Sequence, residues 1–417
     1  MNIWILNHYA HPPDLPGGTR HYDFAREFVK RGNRVVIFAS SFNHKSRKNE
    51  RLSSGQNHLQ ENVNGVEFLW IKTFPYYGGN DWRRAVNMLS YAARAIPLGL
   101  KLKEKPQVVL ASSPHPFAGL AGWLLAKLRG ASFIFEVRDL WPETFLDIGG
   151  YSNKSPIVVL LRILEKFLYR RARKIVSLMP GASDYIIGMG VPSNKIVYIP
   201  NGSNPELFYN GDVQLPRELD ILISGLKSKG KMLAGYTGAH GVGNNLDTII
   251  EAAKVLQDEG ADKVHFLIVG EGPEKKRLIE KADSRDLINV SFYGLIAKNA
   301  MPRLLKAVDI AIVSEYKLAL VKYGLSQNKV FDYLMSARPV VWAAKSINNP
   351  VAEAGCGITL PPEDPQAMAE AILRLCNMSE EERRRMGMRG YEYVMDHHSV
   401  PLLAERLLQV IEETIQK

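Results

Sequence analysis

The sequence predicts two α/β domains, each built on a parallel, Rossmann-like sheet. Three observations predict this. Short β-branched or apolar runs alternate with amphipathic helical patterns; the alternation restarts after residue 200; and a glycine loop follows an early strand in each half. A length of 417 residues, 46% hydrophobic and 23% charged, suits two sizeable cores and excludes disordered or fibrous classes.

The first half opens with an apolar strand, Ile3 to Leu6, then a loop holding Gly17 and Gly18, then a helical pattern from Tyr22 to Arg31. Such a loop brings bare backbone N–H groups and a helix N-terminus up to a phosphate. Strand patterns follow at Val35 to Ala39, Val108 to Ala111, Phe133 to Val137, Ile175 to Leu178 and Ile196 to Ile199. Pro200-Asn201-Gly202, with Pro205 beyond it, marks a boundary near residue 200, and the polar segment Gln214 to Lys231 reads as connecting material.

The second half predicts strands at Met232 to Tyr236, His265 to Val269, Val290 to Tyr293, Ile310 to Val313 and Val340 to Ala343, with helices at Leu246 to Asp258 and Glu274 to Ala282. A terminal helix, Pro401 to Gln416, presents Leu402, Leu403, Leu407, Val410 and Ile411 as an apolar face. Ligands of open α/β sheets bind beyond the carboxyl ends of the strands, so the expected site is a cleft between the two domains.

Several classes are disfavoured. The two cysteines, Cys356 and Cys376, lack metal-ligand spacing and build no disulfide framework, and Met1 to Leu6 is too short for a signal sequence, which points to a reducing, cytoplasmic compartment. No apolar run reaches the roughly 18 to 20 residues that span a bilayer. Gly225 to Lys231 imitates a phosphate-binding P-loop, but Met232 stands where Ser or Thr should hold magnesium. Gly241-Val242-Gly243 lacks the third glycine of a dinucleotide fingerprint.

Charge is lopsided. Residues 1–200 carry 27 Lys and Arg against 14 Asp and Glu, whereas residues 201–417 carry 26 against 29. The basic half is the one suited to an anionic partner. Of its two basic amphipathic stretches, Trp82 to Lys105 reads as a membrane-contacting helix, and Ile157 to Lys174 as a core helix with cations at its C-terminus.

Six pieces in order carry a family resemblance: Pro16-Gly17-Gly18, Phe135-Glu136-Val137-Arg138-Asp139-Leu140-Trp141-Pro142-Glu143, Ile199-Pro200-Asn201-Gly202, Val269-Gly270-Glu271-Gly272-Pro273, Phe292-Tyr293-Gly294, and the run from Asn328 to Val341 containing Lys329, Asp332 and Tyr333. Across nearly the whole chain these resemble the GT-B glycosyltransferases of family 4, retaining enzymes that move a sugar from a nucleoside diphosphate donor. The wording around Arg138 and Asp332 is similar to the subgroup that builds bacterial O-antigen, capsule or exopolysaccharide, including transferases of N-acetyl-fucosamine type.

The resemblance implies an acceptor-binding domain over 1–200, a nucleotide-sugar-binding domain over 201–395, and a segment 396–417 crossing back to the first. It implies a UDP-sugar substrate, no cofactor, no bound metal, and an acceptor on polyprenyl diphosphate. Peripheral attachment to the anionic inner face of the cell membrane follows. Asp332 matches the acid that grips the ribose, with Lys329 one helical turn earlier within reach of the diphosphate. The family's second acid falls on Gly324, so donor contacts pass to Glu315, Gly324 and Ser326, beside the loop residues Gly17, Gly18, Gly238, His240, Gly270, Gly272 and Gly294. Arg138 matches the family's usual histidine. Asp139 is the candidate that positions or deprotonates the acceptor hydroxyl, Arg138 binds phosphate or a carboxylate, and His115 is the competing base. Two other readings stand beside this one: a GT-B-like UDP-N-acetylglucosamine 2-epimerase, and, from net charge alone, a basic nucleic-acid-binding protein.

Overall fold

A computed structural model describes residues 1–77, 82–113, 115–147, 150–209 and 213–416. The chain divides into two compact units. One holds residues 1–13, 17–201 and 400–417, and the other residues 14–16 and 202–399.

The first unit's strands are β1 (Asn2–Leu6), β2 (Arg34–Ser40), β3 (His58–Val63), β4 (Val66–Ile71), β5 (Val108–Ser112), β6 (Ser132–Val137), β7 (Lys174–Ser177) and β8 (Ile196–Tyr198). They form one sheet in the order β3-β4-β2-β1-β5-β6-β7-β8. Every pairing is parallel except β3 with β4. The chain runs outward from β1 on one side and from β5 on the other, so the strand order reverses between these two neighbours. A crevice opens at the carboxyl ends of such strands.

The second unit repeats the plan with β9 (Met232–Ala239), β10 (Val264–Glu271), β11 (Val290–Tyr293), β12 (Ile310–Ser314), β13 (Val340–Ala343) and β14 (Gly357–Leu360). Their order is β11-β10-β9-β12-β13-β14, all parallel, with the reversal between β9 and β12.

Strands covered on both faces need continuous apolar runs, and Ile3, Trp4, Ile5 and Leu6 are fully buried. The terminal helix Val400–Gln416 inserts Leu403, Leu407 and Ile411 into the same core as Phe24, Phe28, Ile3 and Ile5. Burying one such side chain is worth about 1.5–3 kcal/mol.

Two expectations are corrected. The segment read as a connector contains a helix, Arg217–Ser228, which buries Leu219 and Ile223 one turn apart. The helix read as core, observed as Pro156–Arg171, does bury Val158, Leu161 and Leu168, yet it leaves Ile157, Val159, Leu160 and Ile163 exposed. By contrast, the helix Trp82–Lys101 buries Met88 and Tyr91 and exposes Trp82 and Leu89.

Candidate active site

In the second unit the chemistry gathers at the reversal between β9 and β12. The helix Asn328–Met335 begins near their carboxyl ends and carries both Lys329 and Asp332. Asp332 is buried. Ser203 Oγ donates to its Oδ1 at 2.9 Å, and the Lys298 ammonium pairs with its Oδ2. With side-chain exposures of 13% for Lys298 and 8% for Asp332, the pair is largely desolvated. A carboxylate offers about four lone-pair sites, so these two partners leave room for further donors.

Lys329 Nζ donates to Asn244 Oδ1 at 2.7 Å, lies 3.4 Å from Glu315 Oε1, and sits 4.6 Å from the centre of the Tyr236 ring. Burial lowers the Lys329 pKa, with Glu315 pulling it back; burial raises that of Glu315, with Lys329 and Gln327 opposing. Gln327 donates its amide to the same Glu315 oxygen. Glu315, at the end of β12, is therefore an electrostatic seat for Lys329, not an unoccupied carboxylate.

The loops above β9 and β10 meet closely. Gly270 has φ +150°, and a Cβ there would run into the Gly238 carbonyl oxygen; a Cβ on Gly272 would strike the His240 backbone. Only glycine permits that approach. His240 is fully buried, among the described residues both ring nitrogens lack a hydrogen-bond partner, and burial, assisted by Lys275, pushes its pKa down to about 4. A neutral imidazole with an unused N–H is a donor available to an incoming oxygen. Gly294 follows β11, Gly324 has φ +101° after the turn Ala319–Tyr323, and Ser326 is half-buried before the helix.

In the first unit Gly17 and Gly18 precede the helix Arg20–Lys30. Gly17 has φ +154°, and a Cβ on it would lie 2.9 Å from His11 Cδ2, so a side chain fits neither the backbone nor the space. The first turn is anchored by Glu136 at the end of β6, which accepts from Arg20 Nε at 3.0 Å and Ser112 Oγ at 2.8 Å, with His21 Nε2 2.8 Å away. Burial alone raises this carboxyl, but Arg20 and His21 outweigh it and hold it well below the usual carboxylate range.

Arg138 and Asp139 follow β6 directly, and Ser113 Oγ accepts both backbone N–H groups, at 2.8 and 3.4 Å. Asp139 is exposed beyond the carboxyl end of β6. Desolvation raises its pKa against the pull of Arg138 and Arg84. The next helix begins at Glu143, so Asp139 does not cap it. The side chain also lines a small pocket with Ser113, Trp141, Glu165 and Tyr169.

His115 caps the helix Pro116–Arg129, its Nδ1 accepting the Ala118 N–H at 3.3 Å, while its Nε2 lies 3.1 Å from His8 Nδ1. Pro114, just before it, lies outside the described residues. Both nitrogens of His115 are engaged, and burial pushes its pKa down to about 3. Gly17, Gly18, His115, Arg138 and Asp139 thus belong to the first unit, and the remaining candidates to the second.

Sequence reasoning missed Lys298, Ser203, Asn244, Gln327 and His8. Lys298 and Ser203 lie 34 and 129 residues from Asp332, and no local period connects them. His8 carried a usable signal, since it stands just past the first strand.

Residues 17–202 match the family described as Glycosyl transferase 4-like domain, and residues 232–378 the family described as Glycosyl transferases group 1. The chain is 28% identical over 238 residues to the Escherichia coli K12 protein named as colanic acid biosynthesis glycosyl transferase WcaI, covering 55% of this chain and 56% of that one. It is 24% identical over 313 residues to the Pseudomonas aeruginosa glycosyltransferase WbjE, covering 73% and 76%. The chain thus spans little more than half the length of the first relative. Among solved structures, sucrose-phosphate synthase of Thermosynechococcus elongatus superposes with a TM-score of 0.76 at 16% identity, covering 99% of this chain and 98% of that one. Anabaena HepE, in complex with UDP and glucose, superposes at 0.69 and 14%, covering 99% and 100%. At such identities these likenesses speak for the fold.

Proposed function

Because the chain belongs to the group 1 glycosyltransferases of the polysaccharide-synthesis type and has their GT-B fold, we propose that it moves a sugar from a UDP-sugar to a saccharide on polyprenyl diphosphate, with retention at the anomeric carbon. The observation that carries this reading is the buried set in the second unit, where Asp332 is held by Lys298 and Ser203, and Lys329 by Glu315 and Asn244. An N-acetylated amino-deoxysugar as the transferred group rests on the motif wording alone.

In this reading the ribose hydroxyls donate to the lone pairs of Asp332 that Lys298 and Ser203 leave open. The diphosphate oxygens take the N–H of Lys329 that otherwise reaches the Tyr236 hydroxyl at 3.4 Å, and the N–H of His240. Backbone N–H groups of the Gly270-Glu271-Gly272 loop add dipoles without further side-chain charge. These preorganised donors stabilise the charge that builds on the departing diphosphate. The sugar's bond to UDP oxygen breaks, the acceptor oxygen bonds to the same carbon from the same face, and the acceptor hydroxyl, oriented by Asp139, passes its proton to the departing diphosphate oxygen. His115, with both nitrogens occupied, positions its neighbours instead of acting as base.

Among the described residues no helix is long and apolar enough to cross a membrane. Peripheral attachment to the inner leaflet is supported by the exposed Ile157, Val159, Leu160 and Ile163 beside exposed Lys166, Arg170 and Arg171. Apolar side chains enter the headgroup boundary while each nearby cation adds on the order of 1 kcal/mol.

The test is UDP release and product analysis with UDP-N-acetylhexosamines and a polyprenyl-diphosphate-linked saccharide. Transfer by the wild type, with Asp139→Asn about 100-fold slower and UDP affinity unchanged, is the expected result. Normal turnover by Asp139→Asn removes its role, and conversion of the donor sugar without acceptor replaces transfer with epimerisation.

A further inference from the structure

The reversal point of the first sheet holds an assembly that the donor chemistry does not use. His8, just past β1, and His115, just past β5, meet there. A backbone N–H can meet only an unprotonated ring nitrogen, so the Ala118 N–H fixes the His115 proton on Nε2. That proton is donated to His8 Nδ1, which leaves the His8 proton on Nε2. Both rings are neutral, since burial and neighbouring cations push His115 down to about 3 and hold His8 well below its usual value. His8 is 1% exposed, and among the described residues its Nε2 has no hydrogen-bond partner, nor has Nδ1 of His11, 5% exposed. A buried donor without a partner is destabilising, a cost removed when a ligand supplies the oxygen.

Cations act on these rings. The charged groups acting on His8, His11 and His44 are Arg84, Arg47, Lys45 and Arg51. Arg51 is balanced by Glu61 at 3.7 Å, and Asp139 is the carboxylate that Arg84 reaches. The Arg47 guanidinium lies 4.4 Å above the Tyr76 ring, whose hydroxyl meets His44. Lys45, Arg47 and Arg84 are cations, the sign that suits phosphate oxygens.

We propose that His8, Arg47 and Arg84 form an oxyanion subsite in the first unit that takes phosphate oxygens of the acceptor. The inference rests on the transferase reading and deepens it, by assigning the acceptor's anionic group to named residues. The His115 relay is the positioning device, because it keeps the proton of His8 on the nitrogen that faces the ligand.

The experiment is a calorimetric titration of inorganic pyrophosphate into full-length protein already saturated with UDP, so that the second unit is filled. A further site is expected in the wild type, weakened at least about tenfold in Arg84→Gln and in His8→Phe, and restored to within about threefold in His8→Gln, whose amide also donates. Melting curves for each variant separate lost binding from lost folding. Geranyl diphosphate binding at least about tenfold tighter than pyrophosphate identifies a lipid-linked source, and equal affinities a free anion. The proposal is overturned by absence of a pyrophosphate site in the UDP-saturated protein, by unchanged affinity in folded Arg84→Gln, or by glucuronate binding tighter than pyrophosphate. Failure of UDP itself to bind is a separate result, and it counts against the donor reading.

Discussion

Replacing Lys329 by Met separates the two tasks of its ammonium. The pair with Glu315 is nearly dry, at 11% and 6% side-chain exposure, and deleting one partner of a buried pair costs about 3–5 kcal/mol. Glu315 partly escapes that cost by taking a proton, because burial already raises its pKa. The loss for Lys329→Met at neutral pH therefore falls near 3 kcal/mol, the low end of that range. Adding Glu315→Gln removes the stranded carboxylate, and most of the stability returns. Nucleotide binding does not return, since a charge-assisted hydrogen bond is worth about 1.5–3 kcal/mol, a loss of roughly 10- to 150-fold in UDP affinity for the single and the double variant alike. Thermal unfolding and UDP calorimetry on the three proteins measure both quantities. A double variant no more stable than the single one refutes the electrostatic account of Glu315; UDP affinity within about threefold of wild type refutes the role of Lys329.

Other consequences follow from burial. Glu165 accepts from Tyr169 and Tyr185 at 2.7 and 2.9 Å, and burial lifts its pKa to about 8. The folded state then holds a proton that the unfolded chain releases near pH 4.5, so stability falls as pH rises from about 4.5 to 8, by at most about 1.4 kcal/mol per pH unit. Melting of Glu165→Gln at pH 5, 6.5 and 8 checks this, with the variant gaining on wild type as pH rises. Leu407→Ala opens a cavity in the first unit's core and costs about 2–5 kcal/mol in denaturant unfolding. Ile163→Asp, on the exposed face of Pro156–Arg171, leaves the melting curve unchanged and lowers cosedimentation with phosphatidylglycerol vesicles at least about tenfold, whereas equal cosedimentation removes that face from the membrane reading.

What was legible in the sequence follows from the range of each interaction. The helix Leu246–Asp258 and the strand Val290–Tyr293 were readable to the residue, because their apolar periods are local. The hairpin of β3 and β4 escaped because His58–Val63 is a half-exposed edge strand with Gln60, Glu61 and Asn62 in it. Arg217–Ser228 was lost among its charges, although Leu219 and Ile223 stand at helical spacing. Pro156–Arg171 shows a different limit: a pattern reveals which side chains share a face, and says nothing of whether another element covers it. At the site, Lys329 and Asp332 were found through a motif, but their partners Lys298, Asn244 and Ser203 come from distant turns and loops. Glu136 shows the same blindness, for it was read as part of a motif while Arg20 and His21 lie more than a hundred residues away.

The most direct test of the central claim is a calorimetric titration of UDP, GDP and ADP into the wild type and Asp332→Ala. The account predicts that UDP binds the wild type and that its affinity drops at least about tenfold in Asp332→Ala, with the variant still folded. Binding of none of the three, or equal UDP affinity in both proteins, contradicts it.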